Sequence, residues 1–495
     1  MAPTIYSNRS GMKKRFYPCV WKSASVGGVL LLAGIVACWG QSGINASINA
    51  NTYAGSVTSA PATATAIPLS LDEAIRRGLE HNLAAVLARQ NERIASGQQL
   101  QGLNYLLPNI SATAVRRRNQ INLAALGFRP SLLAKFPPGI FPAGATFGPV
   151  VTVNAVTAQV NLQQSLFNVS AIEAFRAEKE SRVVAYYRRQ STLGQVILNV
   201  ASTYMQILAD ESNLDDARAL LQADDLLQQQ AQDAEKSGIA THLDQLRAQV
   251  QWQQQQQAEI VAENALAKET IALNRQIGLA AEQPLELTDA SPYADLDTMT
   301  LAQARQTAYS SRQDYQGALA ETRATAQQRS AARWERLPSL SFNGNYGVTG
   351  TVGGIYHGTF LAAGELSLPI FREASLRGDR DVAESSRREA LAQLASLHAT
   401  IDAQLRDSLL DVAAAKKLVD VAHSNVALAR QSVSDATDRF TNGVEDNLSV
   451  VQAQSVLAAA QAQWVNSLFQ FNLAKLGLAR NLGVLQQQYR AYIGQ

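Results

Sequence analysis

The sequence predicts an α+β chain built twice on one plan. Long antiparallel coiled-coil helical hairpins alternate with β-hairpins, four strands in all. Three observations carry this expectation: the chain resembles itself at a fixed offset, two long spans contain no proline, and short segments alternate between apolar and polar residues.

The self-similarity comes first because it sets the boundaries. At an offset of 230, "LSLDEA" (69–74) aligns with "MTLAQA" (299–304), and Pro108 with Pro338. Both copies open on a capping-box pattern, Ser70 with Glu73 and Thr300 with Gln303, which offers partners to the free N–H groups of a helix start. At an offset of 205, Gly238 aligns with Gly443, Leu243 with Leu448, and "LNRQIGL" (273–279) with "LARNLGV" (478–484). The first copy therefore holds extra residues, between Pro108 and Phe167. The resulting division is 1–38 export signal, 39–66 flexible linker, 67–280 first repeat, 281–298 linker, 299–487 second repeat and 488–495 C-terminal tail.

No proline occurs from 150 to 283 or from 370 to 495. Helix interiors exclude proline because it removes a donor and clashes with the preceding turn. Within these spans, 168–236 and 373–441 read as helices about 100 Å long at 1.5 Å per residue. Val200, Tyr204, Ile207, Leu214 and Leu221 keep heptad spacing, the mark of a coiled-coil seam. Each long helix ends near a glycine, Gly238 or Gly443, and a second helix returns over 242–279 and 445–486. Before each long helix the backbone switches from helix to strand at "LPNIS" (107–111) and "LPSLS" (337–341). A residue preceding proline avoids helical geometry, so Leu107 and Leu337 are the exits.

The strands have two faces. Leu340, Phe342, Tyr346 and Val348 oppose Ser339, Ser341, Asn343 and Asn345; Leu366, Leu368 and Ile370 oppose Glu365 and Ser367 over 365–370; Val160, Leu162 and Leu166 oppose Thr157, Gln159, Asn161, Gln163 and Ser165. This is the alternation of an outer-membrane barrel, and also of any half-buried sheet. Residues 119–149 read as an apolar, irregular loop. Four strands cannot close a barrel, so that reading requires several copies: two give eight strands, three give twelve.

Composition excludes other classes. A net charge of +2 gives no basic surface for nucleic acid. The only cysteines are Cys19 and Cys38, and the five histidines lie far apart, so no disulfide framework, metal site or cofactor is expected. The N-terminus reads as an export signal: Lys13, Lys14, Arg15 and Lys22 precede the apolar stretch Val26 to Ala37, with Met12 as an alternative start. Two processing readings stand. Cleavage follows a small residue such as Ala46 or Ala50, or Ile35-Val36-Ala37-Cys38 acts as a lipobox and Cys38 is lipidated. "GVTGTVGG" (347–354) lacks the lysine of a phosphate loop. The acid pairs Asp215-Asp216 and Asp224-Asp225 read as solvated helix faces, and no catalytic arrangement is found. "QWQQQQQ" (251–257) is either a hydrated tunnel wall or a solvated face.

Taken together, "LSLDEAIRRGLEHN", "LPNIS", "LPSLS" and "NGVEDNLSVVQAQ" (442–454) resemble the TolC family of outer-membrane efflux proteins over about 67–487. The resemblance implies a homotrimer in outer-membrane lipid, with a twelve-stranded barrel, a twelve-helix periplasmic tunnel and an equatorial belt that includes 280–298. It also implies a periplasmic adaptor docked at the hairpin tips and an inner-membrane pump, of the RND type, as energy source. Carried over from the family, the adaptor contacts are Gly238, Thr241, Leu243 and Asp244 at one tip and Gly443, Asp446, Leu448 and Ser449 at the other. Ser449 and Gln452 stand where some members place gate aspartates, with Asp244 as a partial substitute. The expected function is a passive duct for small molecules. The alternatives are a duct for type I protein secretion and a periplasmic coiled-coil scaffold without a pore.

Overall fold

A computed structural model of the protein describes residues 52–493 apart from 58–60, 124, 126–149, 239, 290–292, 297–298, 443 and 446. Cys38, Gly443, Asp446 and most of the loop expected at 119–149 therefore lie outside the described residues. The chain runs β1 (Ile67–Leu69), α1 (Leu71–His81), α2 (Leu83–Asn104), β2 (Asn109–Asn122), β3 (Val150–Phe167), α3 (Val169–Lys236) and α4 (His242–Ile277). It continues through β4 (Leu285–Leu287), α5 (Leu301–Ser311), α6 (Gln313–Trp334), β5 (Ser339–Thr351), β6 (Tyr356–Ser367), α7 (Glu373–Thr441), α8 (Asn447–Leu482) and α9 (Leu485–Ile493).

Element lengths correspond across the two halves. Helices α1 and α5 have 11 residues each, α2 and α6 have 22, α4 and α8 have 36, and α3 and α7 have 68 and 69. Among the described residues no helix is long and apolar enough to cross a membrane. Thr300 and Gln303 close a full capping box. The first copy forms half of one: Ser70 accepts the Glu73 N–H, but the Glu73 carboxylate turns to Arg76 at 2.6 Å and Arg77 at 2.8 Å. An arginine fork offers the carboxylate more donors than one backbone N–H does.

The long helices are held by heptad packing. On α7 the buried residues Ile401, Leu405, Ser408, Ala415, Val419, Ala422, Val426 and Ala429 follow a four–three rhythm. On α3 Val200, Tyr204, Ile207 and Leu214 are buried, and Leu221 is half-buried. Asp224 lies one heptad from each of the buried Ala217 and Ala231 and is only 2% exposed, which corrects its placement on a solvated face. Its Oδ2 accepts from Gln251 Nε2 at 3.2 Å. Asp216 is half-buried and accepts from Gln461 at 3.0 Å. The glutamine run divides: Gln251 and Gln255 are buried against α3, while Gln253, Gln254, Gln256 and Gln257 are exposed.

Elements from both halves converge on one equatorial core. It joins Leu69 and Leu71 with Val196, Val200 and Tyr204 of α3, Leu273 and Ile277 of α4, Ile401 and Leu405 of α7, and Leu476 and Leu482 of α8. Above it, α1 breaks from α2 at Asn82, and α5 from α6 at Arg312. Asn82 is buried and donates to the carbonyls of Tyr53 and Gln276. Arg312 is buried in a bidentate pair with Asp314 and also donates to the Asn481 carbonyl. Gly278 and Gly483 end α4 and α8 in the left-handed region, at φ 83° and 79°. A side chain on Gly483 would meet the Arg312 backbone at 2.6 Å, so the site requires glycine for both conformation and approach.

Three segments differ from expectation. Residues 39–66 are not a tether throughout: Thr52–Ala54 form a helical turn, and Gly55 and Val57 exchange backbone hydrogen bonds with Leu83 and His81. The expected tail lies largely in α9, where Tyr492 is buried and Tyr489 donates to Asp72 at 2.6 Å. The 281–298 linker contains β4, which pairs in parallel with β1.

Lys475 of α8 is fully buried beneath this linker, donating to the Ala294 carbonyl at 3.0 Å with its ammonium 4.5 Å from the centre of the Phe471 ring. Burial lowers its pKa from 10.5 to about 8. The unfolded chain then binds more protons between those values, so stability rises with pH across that window. Lys475→Met is expected to remove this rise, read as the pH dependence of thermal unfolding between about pH 8 and 10.5.

Burial raises the Asp224 pKa, and its Oδ1 has no hydrogen-bond partner among the described residues. The double substitution Asp224→Leu with Gln251→Leu is expected to stabilise the protein at pH 7 by about 1–3 kcal/mol. That gain is full above the raised folded pKa and disappears as pH falls toward 3.8, the ordinary value.

Candidate functional site

The four longer strands form one antiparallel sheet in the order β2-β3-β5-β6. Each strand is at least 12 residues long. Pro108 and Pro338 stand in the short breaks after α2 and α6, one residue before β2 and β5 begin, as expected. Strand β6 ends at Ser367, so 368–370 is not strand as expected. Pro369 has no N–H to give a ladder, and pairing stops ahead of it. Strand β2 reaches Asn122 and so takes in residues expected to be loop.

Register separates the two faces. Ala112, Val160, Tyr346 and Phe360 form one apolar row, and Leu340 stands beside Leu366. The opposite face is polar and hydrogen-bonded, along β3 from Gln159 to Asn161 at 2.8 Å and across strands from Asn161 to Thr113 at 3.2 Å, Thr349 to Thr157 at 3.3 Å and Asn343 to Glu365 at 3.3 Å. Strands β2 and β6 each leave one ladder edge unpaired, and β2 is exposed along its whole length.

The helical tips lie at the far ends of α3 and α4 and of α7 and α8. At the first tip Gly238 adopts φ 71°, and its N–H donates to the Glu235 carbonyl at 2.9 Å, closing α3. No atom lies within 4 Å of where a Gly238 side chain would begin, so conformation alone demands glycine there. Thr241 caps α4 and forms a full capping box with Asp244. The Asp244 carboxylate also accepts from Arg247 at 3.3 Å. The Thr241 hydroxyl, ahead of other causes, holds the Asp244 pKa below its ordinary value. Leu243 is 55% exposed, and Leu246 and Val250 continue its apolar strip along α4.

At the second tip, Leu448 and Ser449 are half-buried and Gln452 is exposed. Glu445, which the sequence reading passed over, links this tip: it pairs with Arg439 at 2.9 Å and accepts from Ser449, and the two lower its pKa in that order. Glu235 with His242, at 2.7 Å, is a second tip contact outside the expected set. Both pairs lie across a turn between distant rotamers, so residue spacing carries no signal of them. The Asp224–Gln251 pair lies off the seam of Val200, Tyr204, Ile207, Leu214 and Leu221, which extends to Asp225; Asp224 is in phase with Ala217 and Ala231 instead. Leu227, Ala436, Val450 and Ala453 pack together beneath the two tips.

A two-faced sheet joined to long helical hairpins is the architecture of outer-membrane channels. The Campylobacter jejuni CmeC outer membrane channel superposes with a TM-score of 0.71 at 17% identity, covering 84% of this chain and 86% of that one. The Vibrio cholerae outer membrane protein VceC gives 0.69 at 18% identity, covering 83% and 96%. In sequence, outer membrane protein TolC of Escherichia coli (strain K12) is 21% identical over 365 residues, 68% of this chain and 71% of TolC. The family model for outer membrane efflux protein matches residues 74–279 and 301–484, and the chain belongs to that family.

Gly238→Ala is expected to cost about 1–2 kcal/mol at the first tip through left-handed backbone strain. Limited proteolysis should cut faster between Lys236 and His242, while the equatorial core unfolds at an unchanged temperature.

Proposed function

We propose that the protein is a homotrimeric, passive duct of the outer membrane that exports small molecules, including drugs, toxic compounds or metals. Each subunit contributes two hairpins to a twelve-stranded barrel, and its helices line a tunnel through the periplasm. The observation that carries this reading is the four-stranded sheet with an apolar face, a polar face and two unpaired edges. In hydrocarbon an open edge leaves backbone groups without partners, so such a sheet is stable in a membrane only when neighbouring copies close it. Three copies give twelve strands, with the polar face toward a water-filled lumen.

The tips are the proposed adaptor surface. Gly238, Thr241, Leu243 and Asp244, with Gly443, Asp446, Leu448 and Ser449, meet a periplasmic adaptor, behind which an inner-membrane pump of the RND type supplies energy. The exposed apolar strip of Leu243, Leu246 and Val250 supports this placement. At the gate, Ser449 and Gln452 give a neutral constriction, and the Asp244 charge is countered by Arg247. Cys38 remains the candidate lipid anchor.

The test is fractionation. A heat-modifiable trimer in the outer-membrane fraction that conducts ions in planar bilayers is the expected outcome. Recovery only as a soluble monomer would overturn the duct.

A further inference from the structure

Directly below the helix-to-strand switch at Pro338, the end of α6 and the start of α7 enclose a cleft of about 690 Å³. Its charge is lopsided. Arg329, Arg333, Arg336, Arg380 and Arg388 line it, against the carboxylates of Asp381 and Glu384. Arg336 pairs outside this lining, with Glu373 at 2.7 Å, and the two lining carboxylates do not neutralise the other four arginines. Glu384 is shared by Arg329, by Arg388 at 3.1 Å and by Arg387 at 3.8 Å. Among the described residues Arg380 pairs with its neighbour Asp381 at 3.5 Å, and Arg333 lies over the Trp334 ring.

The same cleft is partly greasy. Trp334 and Leu337 line it and are 37% and 36% exposed. Just along the chain, Leu366, Leu368, Ile370 and Phe371 stand open to solvent, Phe371 at 99%. Exposed tryptophan and phenylalanine beside a strand bundle mark the level of membrane headgroups. The first copy carries less charge here: the cleft between α2 and α3 is about 240 Å³ and is lined by Lys179 and Arg182 with Glu92, Gln99 and Tyr186 among others.

We propose that the α6–α7 cleft binds the phosphate headgroup of an anionic phospholipid from the periplasm-facing leaflet of the outer membrane. Guanidinium groups match phosphate oxygens in paired hydrogen bonds, and arginine loses less hydration than lysine in doing so. The acyl chains continue upward over Trp334 and Leu337 toward the apolar face of the sheet. The site rests on the duct reading, because that reading sets the cleft at the membrane's inner edge.

The test titrates the purified protein with short-chain phosphatidylglycerol, with phosphatidylcholine of the same chains, and with inorganic phosphate, reading bound mass by native mass spectrometry. Phosphatidylglycerol should be retained preferentially. Substituting Arg333→Gln with Arg380→Gln should weaken it on the order of thirty-fold, about five-fold per arginine, and leave phosphatidylcholine unchanged. Arg333→Lys with Arg380→Lys should recover part of the loss, which a merely misfolded cleft would not do. Equal retention of both lipids, or no effect of the glutamine pair, overturns the proposal. Displacement of phosphatidylglycerol by inorganic phosphate at equal concentration overturns it in favour of a free-phosphate site. Planar-bilayer conductance separates the two readings: a conducting protein without headgroup preference overturns the lipid site alone, and loss of conductance in the unsubstituted protein overturns the duct beneath it.

Discussion

The equatorial core is the constraint on which the rest of the molecule depends. A helix of nearly seventy residues gains little from its own hydrogen bonds and is stable only while something packs along it. Helices α3 and α7 change partners at this level, with α4 and α8 on one side and α2 and α6 on the other. The core therefore has to fix the register of helices that would otherwise slide along their seams. It does so with groups that tolerate only one position. The Tyr204 hydroxyl, fully buried, shares its one proton between the Leu69 carbonyl at 2.9 Å and Asp289 at 3.0 Å, and Asp289 accepts from Leu71 at 2.7 Å. Arg312 and Asn82 serve the same end at the two helix breaks. Polar groups buried among leucines tie each helix to one height, since a slip of one turn would leave them without partners.

Much of this was legible in the sequence because the plan occurs twice. The offsets of 230 and 205 residues set Pro108 against Pro338 and Gly278 against Gly483, and the structure places each pair at corresponding breaks between elements. The long helices were read to within a residue or two, since absence of proline and a capping residue are local signals. What was missed depends on contacts between distant segments. Residues 52–57 lack an apolar period, yet their backbone binds His81 and Leu83. Helix α9 carries three glutamines but is held by Asp72, more than 400 positions away. Burial of Asp224 is not legible because it lies in the row of Ala217 and Ala231, one position off the heptad seam that the large apolar residues mark.

The tips were legible as turns but not as a site. Gly238 and Thr241 follow from helix-ending and helix-starting chemistry, which any helical hairpin needs. The ion pair of Glu445 with Arg439 and the hydrogen-bond contact of Glu235 with His242 bridge the ends of two helices. They have no fixed spacing, and exposed pairs of this kind contribute little to stability. Charge at these tips is thus available for recognition at small structural cost.

The division of each long helix by the core also has a mechanical side. Helices α4 and α8 run 36 residues from tip to core, an arm of roughly 54 Å. Pivoted at the core, a tilt of about ten degrees carries the end of such an arm through on the order of 9 Å, by rise per residue and length alone. The stiffness that two paired helices share turns a slight rotation inside a buried cluster into a displacement comparable to the width of a helix. The sheet on the far side of the pivot need not move with it.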